Sequence, residues 1–179
     1  EDRITDISGD WSEFARDNKS VGLQRSRVIG TELWRYVIGE ETRDIYKTLL
    51  QHVRDTGEPV DFPYRCDSPE CRRYMRMHIE PDQEDGRILF DSQVLHVMPV
   101  ETPIHLSTAR QYRGMLRRCS LCTRIVLDGQ WLEMAHAVEQ GLLDRDEKNV
   151  YLYSVCDDCR TRMNDLLEKQ RARISGRCN

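Results

Sequence analysis

The 179-residue chain has no apolar run that approaches a membrane-spanning helix, which takes about 18 residues or more. With 32% charged residues as well, a soluble protein is expected. Basic residues are not in surplus: 27 Lys and Arg against 31 Asp and Glu give a formal charge of −4, which provides no global attraction to nucleic acid. The first hundred residues show no internal repeat or low-complexity stretch. No nucleophile–base pair or carboxylate dyad is recognisable, and an enzyme is not expected. A secretory leader is not visible either. The 39% of hydrophobic residues suffice for one medium domain and a small one.

Against these absences stand seven cysteines, four of them in two CxxC pairs, Cys119/Cys122 and Cys156/Cys159, with 33 residues between the pairs. Two thiolates at CxxC spacing converge on one ion, and two such pairs complete a tetrahedral shell at a bond length of about 2.3 Å. A redox CxxC is expected once, beside a βαβ pattern, whereas here the motif occurs twice in a short charged segment. Structural zinc is the reading, with an iron–sulfur cluster as the chemical competitor. All four positions are filled by sulfur, which leaves no site for a catalytic water. Thiolates that must stay reduced point to a reducing, cytoplasmic environment.

Apolar spacing predicts a short strand at Ile4–Ile7, a short helix on Trp11, Phe14 and Ala15, and a long helix over Glu40–Thr56 stopped by Gly57 and Pro59. Strands are predicted at Val60–Cys66, Cys71–Pro81 and Ile88–Met98, an antiparallel meander. A four-residue loop Asp67–Glu70 would place Val60 opposite Met77, Phe62 opposite Met75, Asp61 opposite Arg76 and Cys66 opposite Cys71. After Cys119 come an extended run with an Asp128-Gly129 turn, a helix near Glu133–Leu143, a strand Val150–Val155, and a last helix opened by Cys159 with Met163, Leu166 and Leu167 on one side. The fold class is therefore α+β, with expected boundaries at 1–103 for the sheet domain, 104–118 for a linker and 119–179 for a small zinc module shaped like a treble clef. Loss of zinc is expected to unfold the module and spare the meander.

Asp10-Trp11, Phe14-Ala15, Asn18, Ile29-Gly30, Leu33-Trp34, the Tyr46 and Leu49-Leu50 helix, Gly57, the run Phe62–Pro69 and Arg72-Arg73 together resemble a group of bacterial PAS-like proteins, over roughly residues 1 to 100. The order Cys119, Cys122, Trp131, Cys156, Cys159 is similar to the cysteine module that trails PAS segments in some bacterial sensors, with Tyr151-Leu152-Tyr153-Ser154 where a His-Gly is usual. The resemblance implies a sensory, signal-transducing protein. It implies a small-molecule pocket between sheet and helices, and signals passed through flanking helices to a second protomer or a protein partner. The Asn-Cys-Arg run of flavin-binding photosensors is absent, so blue-light chemistry is not expected.

Strand alternation puts Arg73 on the face of Cys71, Met75, Met77 and Ile79, where a guanidinium would need a partner such as a ligand carboxylate or phosphate; Arg73, Met75 and His96 are the candidate ligand-binding residues. Opposed Cys66 and Cys71 would be close enough for a reversible disulfide, though packing as small hydrophobes is commoner. His52 and His96 are candidate haem ligands against the commoner role of ordinary hydrogen-bonded histidines. Cys178 has no expected role. Arg117, Arg118 and Arg160 flank the cysteines and would offset a negative four-thiolate centre. The segment from Arg160 to Asn179 carries six Lys and Arg against two Asp and Glu, so the alternative to a sensor is a zinc-containing, nucleic-acid-associated transcription regulator.

Overall fold

The computed structural model describes residues 2–8, 11, 13, 16, 21–68, 70–82, 85–100, 115–143 and 150–177. It is α+β, with two sheets. Compactness divides the chain after Ile38 into Glu1–Ile38 and Gly39–Asn179.

In the first unit a helix α1 (Arg25–Val28) lies between two single-turn 3-10 helices, Val21–Leu23 and Leu33–Arg35. The expected strand at Ile4–Ile7 is not formed. Residues 2–4 are instead tied to residues 30–33 by one isolated bridge, Arg3 to Glu32, and by backbone bonds such as Ile4 N–H to the Thr31 carbonyl at 2.9 Å. A partner segment this short supports no ladder. Of the expected helix on Trp11, Phe14 and Ala15, Trp11 is helical, and Phe14 and Ala15 lie outside the described residues.

The second unit opens with α2 (Glu40–Thr56), at the predicted bounds. Its buried stripe of Leu49, Leu50 and Val53 packs on the meander β1 (Val60–Arg65), β2 (Cys71–Pro81) and β3 (Ile88–Pro99), which contributes Val60, Phe62, Met75 and Ile79 to the same core. Tyr46 sets its ring edge-on to Phe62, with centroids 5.9 Å apart. His52, one of the two candidate haem ligands, is buried and shares a 2.7 Å hydrogen bond with Gln170.

The expected β1–β2 register is two residues out. Val60 faces Ile79, Asp61 faces His78 and Phe62 faces Met77, because the hairpin closes at Ser68 and Cys71, whose backbones bond at 2.9 and 3.4 Å. A shift of two preserves which face each side chain occupies, so the alternation that predicted the pairing is equally satisfied. Asp61 still reaches Arg76, now diagonally, at 3.7 Å. Between β2 and β3 the register slips at Tyr74/Met75, with Leu95 the extra residue.

A second sheet has the order β6-β5-β4-β7: β4 (Met115–Cys119), β5 (Ile125–Leu127), β6 (Gln130–Leu132) and β7 (Val150–Ser154), with β4 and β7 parallel. The turn from β5 to β6 is the predicted Asp128-Gly129, both residues at positive φ (48° and 77°), the requirement of a two-residue turn that matches strand twist. A short α3 (Met134–Glu139) covers Ile125, and α4 (Asp157–Arg177) starts two residues before the predicted Cys159. The expected boundary at 103/104 and most of the expected linker fall outside the described residues, while 115–118 belong to β4. Among the described residues no helix is long and apolar enough to cross a membrane.

The start of α2 is fastened to the second sheet. A Cβ at Gly39 would come within 2.7 Å of the Tyr153 carbonyl oxygen, so only glycine allows this approach. Thr42 Oγ1 donates to Ser120 Oγ at 2.8 Å. One carboxylate oxygen of Glu41 accepts from Ser154 Oγ and the Val155 N–H, each at 2.8 Å, and lies 3.0 Å from an Arg160 nitrogen.

Two outcomes follow for this unit. Leu49→Ala should cost about 2–5 kcal/mol in denaturant unfolding, the range for emptying a fully buried leucine site. The Val155 N–H, more than the Ser154 hydroxyl and the Arg160 charge, lowers the Glu41 carboxyl below its ordinary 4.5, against the opposing effect of burial. A depressed folded-state value means its stabilisation is present above about pH 4.5 and fades as pH falls through the lower folded value. The Glu41 side chain is 39% exposed, so after solvent screening Glu41→Gln should lose about 1 kcal/mol at pH 7 and little below pH 3. Thermal midpoints measured from pH 3 to 7 would show the two curves converging in acid.

Candidate metal centre

The metal-ligating atoms come together from two elements. Cys119 ends β4 and Cys122 sits in the turn that follows, where Cys119 N–H donates to the Arg124 carbonyl at 2.8 Å and Thr123 N–H to the Cys119 carbonyl at 2.9 Å. Thr123 takes φ +64° to close this turn. The second pair brackets the start of α4: Cys156 precedes it and Cys159 lies in its first turn. The N-terminus of this 21-residue helix brings the positive end of its dipole to those two sulfurs. The Cys156 N–H points at Cys119 Sγ at 3.4 Å.

All four Sγ atoms lie within 4.8 Å of one another, and Cys122 and Cys156 are 3.6 Å apart. Ligands at 2.3 Å on a tetrahedron stand about 3.8 Å apart, so the sulfurs already have the spacing of a metal shell. Cys119, Cys156 and Cys159 are buried and Cys122 is half-buried. No His, Asp or Glu joins the group among the described residues. The arrangement can hold one metal ion by four thiolates.

Crowding sets the charge state of these thiols. Hydrogen bonds from Cys119 and Cys159 hold the Cys122 thiol far below its ordinary value. Hydrogen bonds with Cys119 and Cys122 push Cys159 up, burial adding to them, and burial pushes Cys156 up to about 11. A dication that replaces those protons supplies the missing opposite charge, so uptake releases protons and strengthens with pH.

Two guanidiniums serve the sulfurs. Arg124 donates from Nε to Cys122 at 3.3 Å and from Nη2 to Cys156 at 3.5 Å, and is held by Asp158 at 2.7 Å. Arg162 donates to Cys159 at 3.0 Å. They do what sequence analysis assigned to Arg117, Arg118 and Arg160. Arg117 instead donates to Ser154 Oγ at 2.9 Å and stands over Trp131, Arg118 stands over Tyr151, and Arg160 pairs with Glu41. The usable signal was position: Arg124 follows Cys122 by two residues in the turn, and Arg162 follows Cys159 by one helical turn.

The structure does not bring the other sequence candidates together. Met75 is 6% exposed and packed in the core. Arg73 shares its face but donates at 3.4 Å to the Cys66 carbonyl. His96 pairs with Tyr74 on the opposite face, with ring centroids 6.2 Å apart, and is exposed. Cys66 and Cys71 are not opposed either. Cys66 N–H bonds the Arg73 carbonyl at 3.0 Å, Cys71 Sγ lies 3.2 Å from Ser68 Oγ, and burial pushes the Cys66 thiol up. Cys178 lies outside the described residues.

Comparison of the chain with family models, with curated proteins and with solved structures found no match.

Arg124→Met should weaken metal retention about 10–100-fold, the usual effect of removing a group that orients metal ligands, with Arg124→Lys intermediate. Competition against a chromogenic chelator measures it.

Proposed function

We propose that the four cysteines hold one structural zinc ion, and that the chain is a non-enzymatic sensory or signal-transduction protein in which a PAS-like sheet and helix are coupled to that zinc module. The observation that carries the metal reading is the closed, all-sulfur donor set with sulfurs at tetrahedral spacing. Four thiolates suit zinc and leave no vacancy for a substrate or water. The sensory reading is supported by the helix-then-meander order together with the motif resemblance over the first hundred residues. It is supported also by the way α2 joins the two cores. One end of α2 bonds the residues beside the cysteines, and its middle packs on the meander. Occupancy at either end is then felt along one helix.

Surface chemistry favours a protein partner or a second copy over nucleic acid. Strand β3 exposes Leu89, Val94, Leu95, Val97 and Met98, apolar groups that a macromolecular partner can cover. The basic C-terminal segment, by contrast, commits Arg160 to Glu41 and Arg162 to Cys159. Fewer of its cations are left for phosphates.

Native mass spectrometry with elemental analysis tests the assignment: one zinc per chain is expected, and iron with acid-labile sulfide would replace the reading by a cluster protein. Cobalt(II) substitution should give the visible spectrum of a tetrahedral tetrathiolate. Cys122→Ser should lose that spectrum and lower the thermal midpoint of the unit as a whole, the meander included.

A further inference from the structure

We propose that a cavity between the meander and the second sheet binds a small anion, a carboxylate or an oxyanion, on Arg118 and Arg72. The cavity measures about 40 Å³ and is lined by Arg65, Asp67, Arg72, Arg118, Thr123 and Glu133, together with Ser68, Val100, Met134 and Ala135.

Among the described residues its charges do not cancel. Three guanidiniums face two carboxylates, and both carboxylates are already committed. Arg65 Nη1 donates to both oxygens of Glu133 at 2.8 Å, Arg65 Nε donates to Asp67 at 3.2 Å, and the Thr123 hydroxyl donates to Asp67 at 2.7 Å. Arg118 is 7% exposed, and its Nε is buried without a hydrogen-bond partner among the described residues. The Tyr151 ring, 5.6 Å from the guanidinium carbon, attracts the charge but accepts no hydrogen bond from the orphan nitrogen in the plane of the group. A buried guanidinium that keeps an unmet donor and an uncompensated charge is expensive. Nε is closed off from the cavity as well as from protein acceptors, so a guest there meets the guanidinium at its terminal nitrogens, and water would leave the charge unanswered. An anion answers the charge, and a two-oxygen acceptor matches the fork of the terminal nitrogens.

Size narrows the guest. At about 10–15 Å³ for one water, the cavity takes about three waters, the volume class of a carboxylate or a small oxyanion and far below that of a nucleotide. Arg72 comes from β2 and Arg118 from β4, so the anion ties the two sheets together.

Thermal unfolding of the full chain in sodium formate, in sodium phosphate and in sodium gluconate at matched ionic strength provides the test, gluconate being too large to enter. A saturable rise of about 3–6 °C over gluconate is expected at ten times the dissociation constant. The formate and phosphate arms separate a carboxylate guest from a phosphate one. Arg118→Met should abolish the rise and Arg72→Gln should reduce it. Crystals of the unaltered chain soaked in sodium bromide give a readout that needs no variant: an anomalous peak in the cavity, in hydrogen-bond range of the terminal guanidinium nitrogens of Arg118, is expected. Equal midpoints in all three salts, a rise that survives Arg118→Met, or a cavity holding only water would each overturn the proposal.

Discussion

Four sulfurs held within 4.8 Å of each other impose a charge problem that organises everything around them. As thiolates they repel, and as thiols they are crowded donors with few acceptors, so the site is satisfied only when a cation supplies the opposite charge. Its surroundings answer the residual negative charge of a filled site. Arg124 and Arg162 donate to three of the sulfurs, and the first turn of α4 presents its N–H groups to the second pair. A carbonyl, a hydroxyl and an amide group beside the cysteines are used in turn to bind the rest of the unit. Leu121 accepts from Arg65 N–H at 2.8 Å, Ser120 from Thr42, and Val155 donates to Glu41.

Those contacts hold the module, whose core among the described residues gathers around Ile125, Ala137 and Leu143, to the three-stranded meander. Neither sheet buries enough apolar surface alone to offset its chain entropy. Joined through α2, by Arg65 bridging Asp67 to Glu133 and by Gln170 bridging His52 to the Pro59 carbonyl, they share one unit. The polar joints are charged or multiply bonded, which makes them directional as well as attractive. They fix how the two sheets meet, whereas apolar packing of similar area would tolerate slippage.

What could be read from the sequence follows from the range of each signal. Helix α2 and the three meander strands were legible almost to the residue because period, Gly57 and the turn residues are local. The paired cysteines were legible because ligand spacing is local within each pair and the chemistry demands that the pairs meet. Register was not, since alternation repeats every two residues and cannot separate pairings that differ by two; the Ser68/Cys71 closure decided it. The extra residue at Leu95 left no mark either, and it moved His96 to the face opposite Met75. Glu41 and Arg65 were invisible as joints because Ser154, Val155 and Glu133 lie 68 or more residues away and each of the two reads in sequence as an ordinary surface charge, while Arg118 read as a neighbour of the sulfurs rather than as a cavity residue.

The split of the ligand set has a consequence for synthesis. Cys119 and Cys122 leave the ribosome 34 residues before Cys156, an interval of about 2–7 s at ordinary elongation rates. Throughout it the turn presents two thiols with only half a coordination shell, open to oxidants and to thiophilic metals. Helix α2 is in the same position, since its Gln170 partner is separated from His52 by 118 residues. The nascent chain therefore carries its sheet incompletely covered until α4 emerges, and the arrival of that helix closes the shell and covers the core in one event.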